Sequence, residues 1–121
     1  MKQYDAIIIG FGKAGKTLAA ELSNRGWQVA VVERSSMMYG GTCPNIACIP
    51  TKTLVHEAGI AALLYHDDYP KQANLYKQAI GRKNRLTSFL RNNNYERLSK
   101  RPNVTAVSYT HLRAHETLMN L

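Results

Sequence analysis

An α/β fold with a parallel sheet is predicted from three observations. A continuous apolar run, Tyr4-Asp5-Ala6-Ile7-Ile8-Ile9, passes directly into Gly10-Phe11-Gly12-Lys13-Ala14-Gly15 and then into a segment of helical periodicity. A second run, Gln28-Val29-Ala30-Val31-Val32-Glu33, follows once Gly26 has closed that helix. A third, Val104-Thr105-Ala106-Val107, comes after a long helical stretch. Runs too apolar to alternate belong to strands buried on both faces, and strands separated by helices pair in parallel.

The glycines after the first strand carry the first functional signal. Alone, a G-x-G-x-x-G is weak; between a strand and a helix bearing Ala14, Leu18 and Leu22 on one side it is specific. Such glycines permit a tight turn and the approach of a pyrophosphate, and the helix N-terminus supplies N–H donors and positive potential. Glu33 ends the second strand, where a carboxylate accepts hydrogen bonds from two ribose hydroxyls. A dinucleotide site is therefore expected at Gly10, Gly12, Ala14, Gly15 and Glu33. Arg34 is expected at the adenosine edge or the surface, because Glu33 repels a 2′-phosphate. These residues do not choose between NAD and FAD.

Ser35-Ser36-Met37-Met38-Tyr39 is read as a packed linker, its methionines as fillers rather than a soft-metal site. It leads to Gly40-Gly41-Thr42-Cys43-Pro44-Asn45-Ile46-Ala47-Cys48-Ile49-Pro50-Thr51-Lys52, which holds both cysteines. In an ideal helix, positions five apart lie roughly 8–9 Å apart, beyond the roughly 7 Å a disulfide spans. Pro44 suits a first helical turn, whereas the ring of Pro50 collides with the carbonyl of Ile46. A helix start wound out of regular geometry is expected, one able to bring the sulfurs together. Zinc fits poorly, since the spacing is wrong and two further ligands are missing. A reversible dithiol at a helix N-terminus, a structural staple and unpaired cysteines stay open. The staple is the poorer reading, because so short a loop gains only about 2 kcal/mol.

A helix is then expected to about Tyr65, burying Leu54, Ala58, Ala61 and Leu64 or Tyr65. Lys52 stands on its first turn, against the dipole, and His56 is read as packed or surface. Tyr65-His66-Asp67-Asp68-Tyr69-Pro70 breaks it. A basic helix follows, with Tyr76, Ala79, Ile80, Lys83, Leu86, Thr87 and Leu90 at helical spacing, and Asn92-Asn93-Asn94 ends it.

Gly41-Thr42-Cys43 through Cys48-Ile49-Pro50-Thr51-Lys52 resembles the redox-active signature of the pyridine nucleotide–disulfide oxidoreductases. These are FAD flavoproteins that include glutathione reductase, dihydrolipoamide dehydrogenase and mercuric reductase. Gly10 to Leu18, Met38-Tyr39-Gly40-Gly41, Thr53-Leu54-Val55-His56 and Arg91-Asn92 are most similar to a bacterial flavoprotein reductase branch linked to reactive-chlorine resistance. The family's usual glycine before the second cysteine is Ala47 here. The resemblance implies a Rossmann-like FAD-binding βαβ unit, incomplete as a domain. It implies a redox-active Cys43–Cys48 disulfide, with Cys48 toward the flavin and Cys43 exchanging with substrate. Gly41 and Thr42 would approach the flavin phosphates and Lys52 the flavin ring. Electrons would pass from NAD(P)H to FAD, to the cysteines, and to a small-molecule or metal-ion acceptor in an intact homodimer. Nicotinamide and dimerisation domains would lie outside this chain, which alone is expected to be inactive.

The resemblance covers about residues 3–107. Residues 108–121 depart from it and are read as a non-native tail, so His111 and His115 are given no zinc-binding role. At 121 residues the chain holds one domain at most. It shows neither a leader nor an apolar run long enough to span a bilayer, so a cytoplasmic location without membrane contact is expected. Residues 71–101 carry nine cations against Glu96 alone, which accounts for the net charge of +8. A solvated face toward anionic ligands is expected there. A nucleic-acid-binding module and a non-catalytic FAD- or ADP-binding module are the rival readings.

Overall fold

The computed structural model describes residues 2–108. Its elements are β1 (Ala6–Ile9), α1 (Lys13–Asn24), β2 (Val29–Glu33), α2 (Thr42–Asn45), α3 (Cys48–Leu64), α4 (Tyr69–Ser99) and β3 (Val104–Ser108), with a single 3-10 turn at Ser36–Met38. All three strands run parallel in the order β1-β2-β3. The α/β expectation holds, and each strand falls where an apolar run placed it.

Register decides which residues form the core. Ala6, Val29 and Val104 lie side by side, as do Ile8, Val31 and Ala106, so these share one face. That face carries α1 and α4, and Phe11, Ala19, Val29, Val31, Leu98 and Val104 are buried there. Complete burial of Phe11, Val29 and Val31 is worth about 1.5–3 kcal/mol each. The opposite face of β1 meets solvent: Ile7 is 66% and Ile9 76% exposed.

Three expectations need correction. The buried seam of α1 is Ala19 and Ser23, with Leu22 partly covered, whereas Ala14 and Leu18 are exposed. Gly15 sets that rotation, because its backbone presses against Gly10 at the end of β1. On α3 only Pro50 and Ala61 are buried; Leu54 and Tyr65 are half-buried, Ala58 exposed and Leu64 64% exposed. Among the described residues α3 packs chiefly on α4, so positions turned away from it face solvent.

The third correction is to α4, which does not stop at Asn92-Asn93-Asn94 but runs 31 residues to Ser99. Asparagine disfavours helices by offering the backbone other partners. Here the Asn94 amide donates to Leu90 O at 2.8 Å within the helix, and Tyr95 and Leu98 pack on the core one turn later. Packing outweighs a propensity cost of a few tenths of a kcal/mol per residue. The start of α4 was legible: the Asp68 carboxylate accepts from Lys71 N at 3.1 Å, with Pro70 in the first turn.

Candidate functional site

The glycine turn folds back on its own strand ends. Gly10 N donates to Val32 O at 2.7 Å, Phe11 N to Glu33 Oε2 at 2.8 Å, and Ser35 N to Glu33 Oε1 at 3.1 Å. The Glu33 carboxylate is thus fixed at the mouth of the turn, each oxygen keeping lone-pair capacity for a further donor. A Cβ on Gly15 would lie 2.1 Å from Gly10 O, so only glycine lets α1 begin this close to β1. No side chain caps the first turn of α1, whose N-cap is Gly12. Ala14 is exposed on that turn, and Arg34 is exposed just beyond β2.

A second glycine turn packs on the first. Gly40 N donates to Phe11 O at 2.9 Å and Gly41 N to Met38 O at 2.7 Å. Gly41 has φ of 84°, and a Cβ there would sit 2.8 Å from the Cα of Gly12. The two turns therefore touch backbone to backbone, and α2 opens beside α1, also without a side-chain cap. Uncapped N–H groups, a backbone with no side chains in the way and a carboxylate at the strand end fit a dinucleotide cofactor.

The cysteine segment breaks where the prolines demanded. Pro44 lies within α2, and Pro50 is the third residue of α3, where its missing N–H has no intrahelical partner to lose. Between them the helix is interrupted: Ile46 N and Ala47 N share Thr42 O at 3.0 and 3.1 Å, and Ala47 adopts φ −125°, ψ −101°. Both cysteines are exposed free thiols, so the structure carries the pair unbonded rather than as the expected disulfide. Hydrogen bonding with Cys48 is the main cause that raises the Cys43 thiol above its ordinary value. The nearby Lys52 ammonium acts in the opposite sense. Lys52 is exposed and is the fifth residue of α3, past the first turn, because the helix starts earlier than expected. Thr42 is exposed at the first position of α2, and His56 is exposed on α3.

Sequence reasoning missed what holds this segment from behind. Asn45 is buried; its amide donates to Tyr39 O at 3.0 Å and Gly41 O at 2.7 Å, while its Oδ1 accepts from Arg91 Nε at 2.9 Å. Arg91 Nη1 also donates to the Met37 sulfur at 3.4 Å. The Asn94 side chain fills the space a Cβ on Gly40 would need. Phe11, wholly buried, meets Tyr39 edge-on (ring centroids 4.9 Å), and Tyr39 in turn packs on Tyr95 (4.7 Å), so the three rings form one cluster. Arg91 entered the resemblance beside Asn92 and was otherwise counted among the cations of a solvated face, and its spacing gave no sign of Asn45 as its partner. The aromatic at Phe11 was visible, but an apolar residue inside a glycine turn gives no sign of which way it points. Among the described residues no cluster of three metal-ligating side chains occurs; His111, His115 and the tail from residue 109 lie outside them.

The sequence model of the family described as pyridine nucleotide-disulphide oxidoreductase matches residues 4–117. Over 107 residues the chain is 51% identical to the probable pyridine nucleotide-disulfide oxidoreductase RclA of Escherichia coli strain K12, covering 88% of this chain and 22% of that protein. It is 39% identical over 69 residues to dihydrolipoyl dehydrogenase 3 of Pseudomonas putida, covering 57% of this chain and 15% of that one. Among solved structures, the Cu(II) complex of the HOCl-induced flavoprotein disulfide reductase RclA from E. coli aligns with a TM-score of 0.75 and 50% identity, over 89% of this chain and 22% of that chain. The chain thus spans about a fifth of the length of the relative it matches over most of its own residues.

Proposed function

The chain belongs to the pyridine nucleotide-disulphide oxidoreductase family, and on that premise we propose that it supplies the FAD seat and the thiol pair of an NAD(P)H-dependent disulfide-type reductase. One observation carries the reading: the backbone contact of Gly12 with Gly41, which sets the dinucleotide turn against the helix bearing Cys43. FAD, when bound, supplies the ring that relays reducing equivalents from NAD(P)H to the thiols. Gly10, Gly12, Ala14, Gly15 and Gly41 leave room for its diphosphate, with N–H donors from the start of α1 and from Thr42. Glu33 would accept from the ribose hydroxyls, Arg34 would lie at the adenosine edge, and Lys52, whose charge acts on Cys43, would face the ring.

The chemistry of the chain's own residues is thiol–disulfide exchange. The Cys43 thiolate attacks one sulfur of a substrate disulfide and displaces the other as a thiolate. Deprotonated Cys48 then attacks Cys43 Sγ, releases the second substrate thiolate and leaves the Cys43–Cys48 disulfide, so two electrons have passed to substrate. Exposure of both thiols supports a substrate that comes to the surface. The likeness to an HOCl-induced reductase supports a role in oxidative or reactive-chlorine defence. A thiol pair that works by reversible exchange suits a reducing cytoplasmic compartment, and the family supports a homodimer.

Two measurements test this. FAD titration followed by flavin fluorescence should saturate, and the Cys43–Cys48 pair should titrate as one dithiol in graded redox buffers above about −300 mV. No saturable FAD binding would remove the cofactor seat. A pair that resists reduction below that potential would make it a staple.

A further inference from the structure

Beside the start of α1, and apart from the glycine turns, lies a cleft of about 370 Å³ between α1 and the end of α4. Lys13, Lys16, Asn94, Arg97 and Arg101 line its polar side, over Ala20 and Leu98. Lys13 is shared with the dinucleotide turn through its backbone, while its side chain and the other lining residues are not assigned to the dinucleotide.

Among the described residues its charge is not met by a carboxylate. Lys16 Nζ donates to Asn94 Oδ1, and Arg101 Nη1 to Ala20 O at 3.4 Å, Ser23 Oγ at 3.3 Å and Asn24 Oδ1 at 2.6 Å, all neutral acceptors. The carboxylates that form ion pairs among the described residues hold other cations: Glu21 pairs with Arg25, Asp68 with Lys71, Glu57 with Arg82 and Glu96 with Lys100. On α4 itself Lys71 and Arg82 are paired with carboxylates, while Arg97, with Arg101 just beyond the helix, joins two lysines of α1 around one cleft. Burial chiefly lowers the pKa of the Lys16 ammonium, with repulsion from Lys13 and Arg97 acting in the same sense and Cys43 in the opposite one. The first-turn dipole of α1 adds positive potential.

We propose that this cleft binds a compact diphosphate-bearing anion at a site separate from the dinucleotide seat. Four cations match several phosphate oxygens, with Arg97 offering a planar fork and the lysines point charges. The volume sits near the lower end of the roughly 300–1,000 Å³ of small-ligand pockets. A nucleic-acid backbone needs an extended basic track, whereas these four cations converge on one compact cleft.

A diphosphate can be free or carried by a nucleotide, so inorganic pyrophosphate and ADP serve as separate probes. Each is titrated calorimetrically into the full chain, saturated with FAD, at constant ionic strength. Saturable binding is expected for pyrophosphate. Matching ADP affinity would mean either source is accepted, tighter ADP binding a nucleotide, and absent ADP binding a free anion. Lys16→Gln with Arg97→Gln should weaken binding at least about tenfold, the loss of one charge-assisted hydrogen bond, with FAD affinity unchanged. Should the double variant fail to hold FAD, exposed Arg97→Gln alone carries the test. Should the parent not take up FAD, the same titrations on the free chain decide, because Arg97 lies outside the glycine turns. No pyrophosphate binding, equal binding by variant and parent, or displacement of FAD by pyrophosphate would each overturn the proposal.

Discussion

Asn45→Ala should destabilise the fold more than its surface-facing segment suggests. The side chain is 8% exposed and makes hydrogen bonds to Tyr39 O, Gly41 O and Arg91 Nε. Two neutral bonds at about 1 kcal/mol each, plus a charge-assisted one discounted because Arg91 regains water, give a loss of about 3 kcal/mol. For a domain of this size that lowers Tm by roughly 12–24 °C. Asn45→Asp separates hydrogen bonding from packing. It keeps the shape and strengthens the contact with Arg91, yet turns an acceptor toward two carbonyls now 3.0 and 2.7 Å from a donor. It should therefore be at least as damaging as alanine. Arg91→Ala strands a buried acceptor and should cost about 1–3 kcal/mol. In urea unfolding of single and double variants, the two sites should couple by about 1 kcal/mol. Additivity within about 0.3–0.5 kcal/mol, or an aspartate variant as stable as the parent, would refute the bracket.

Glu33→Ala should weaken FAD binding by about 1.5–3 kcal/mol through the loss of charge-assisted bonds, read from flavin fluorescence; equal affinity would remove Glu33 from the ribose. Gly41→Ala combines a left-handed backbone with a Cβ 2.8 Å from Gly12 Cα, so it should lose at least about 1–2 kcal/mol of stability and FAD affinity together. In the reduced chain, alkylation of Cys43 should rise with pH along a profile displaced above that of an ordinary thiol. Cys48→Ala, which removes the leading cause of the raised pKa, should move the profile down, and Lys52→Gln should move it up; a profile indifferent to both would dissociate Cys43 from its neighbours.

How far the sequence could be read depended on how local each cause was. The glycine turn, the Glu33 carboxylate and the interrupted helix at Cys43 to Cys48 follow from steric rules acting over a few residues. All are found in the structure. The buried face of α1 was misread because Gly15, chosen for contact with Gly10, sets the helix rotation ahead of the apolar count. The end of α4 was misread because Tyr95 and Leu98 find the core, a gain asparagine propensity cannot outweigh. Arg91 acts on a residue 46 positions away, and side-chain type alone carries no trace of such a partner.

That distant contact bears on how an exposed thiol pair stays ordered. Cys43 and Cys48 are exposed, so their own burial adds little to holding the backbone that carries them. Exchange nevertheless needs two sulfurs to reach bonding distance repeatedly, and loss of alignment at that point is lost rate. The hold comes from behind. Asn45 fastens α2 to the second glycine turn and to α4, Asn94 occupies the space beside Gly40, and Phe11 joins the first turn to Tyr39 and Tyr95. Because Gly12 and Gly41 meet without intervening side chains, the dinucleotide turn and the thiol helix cannot shift independently. The thiols can therefore lie open to a substrate while their spacing is governed by α4, the element whose charged surface made it look least concerned with chemistry.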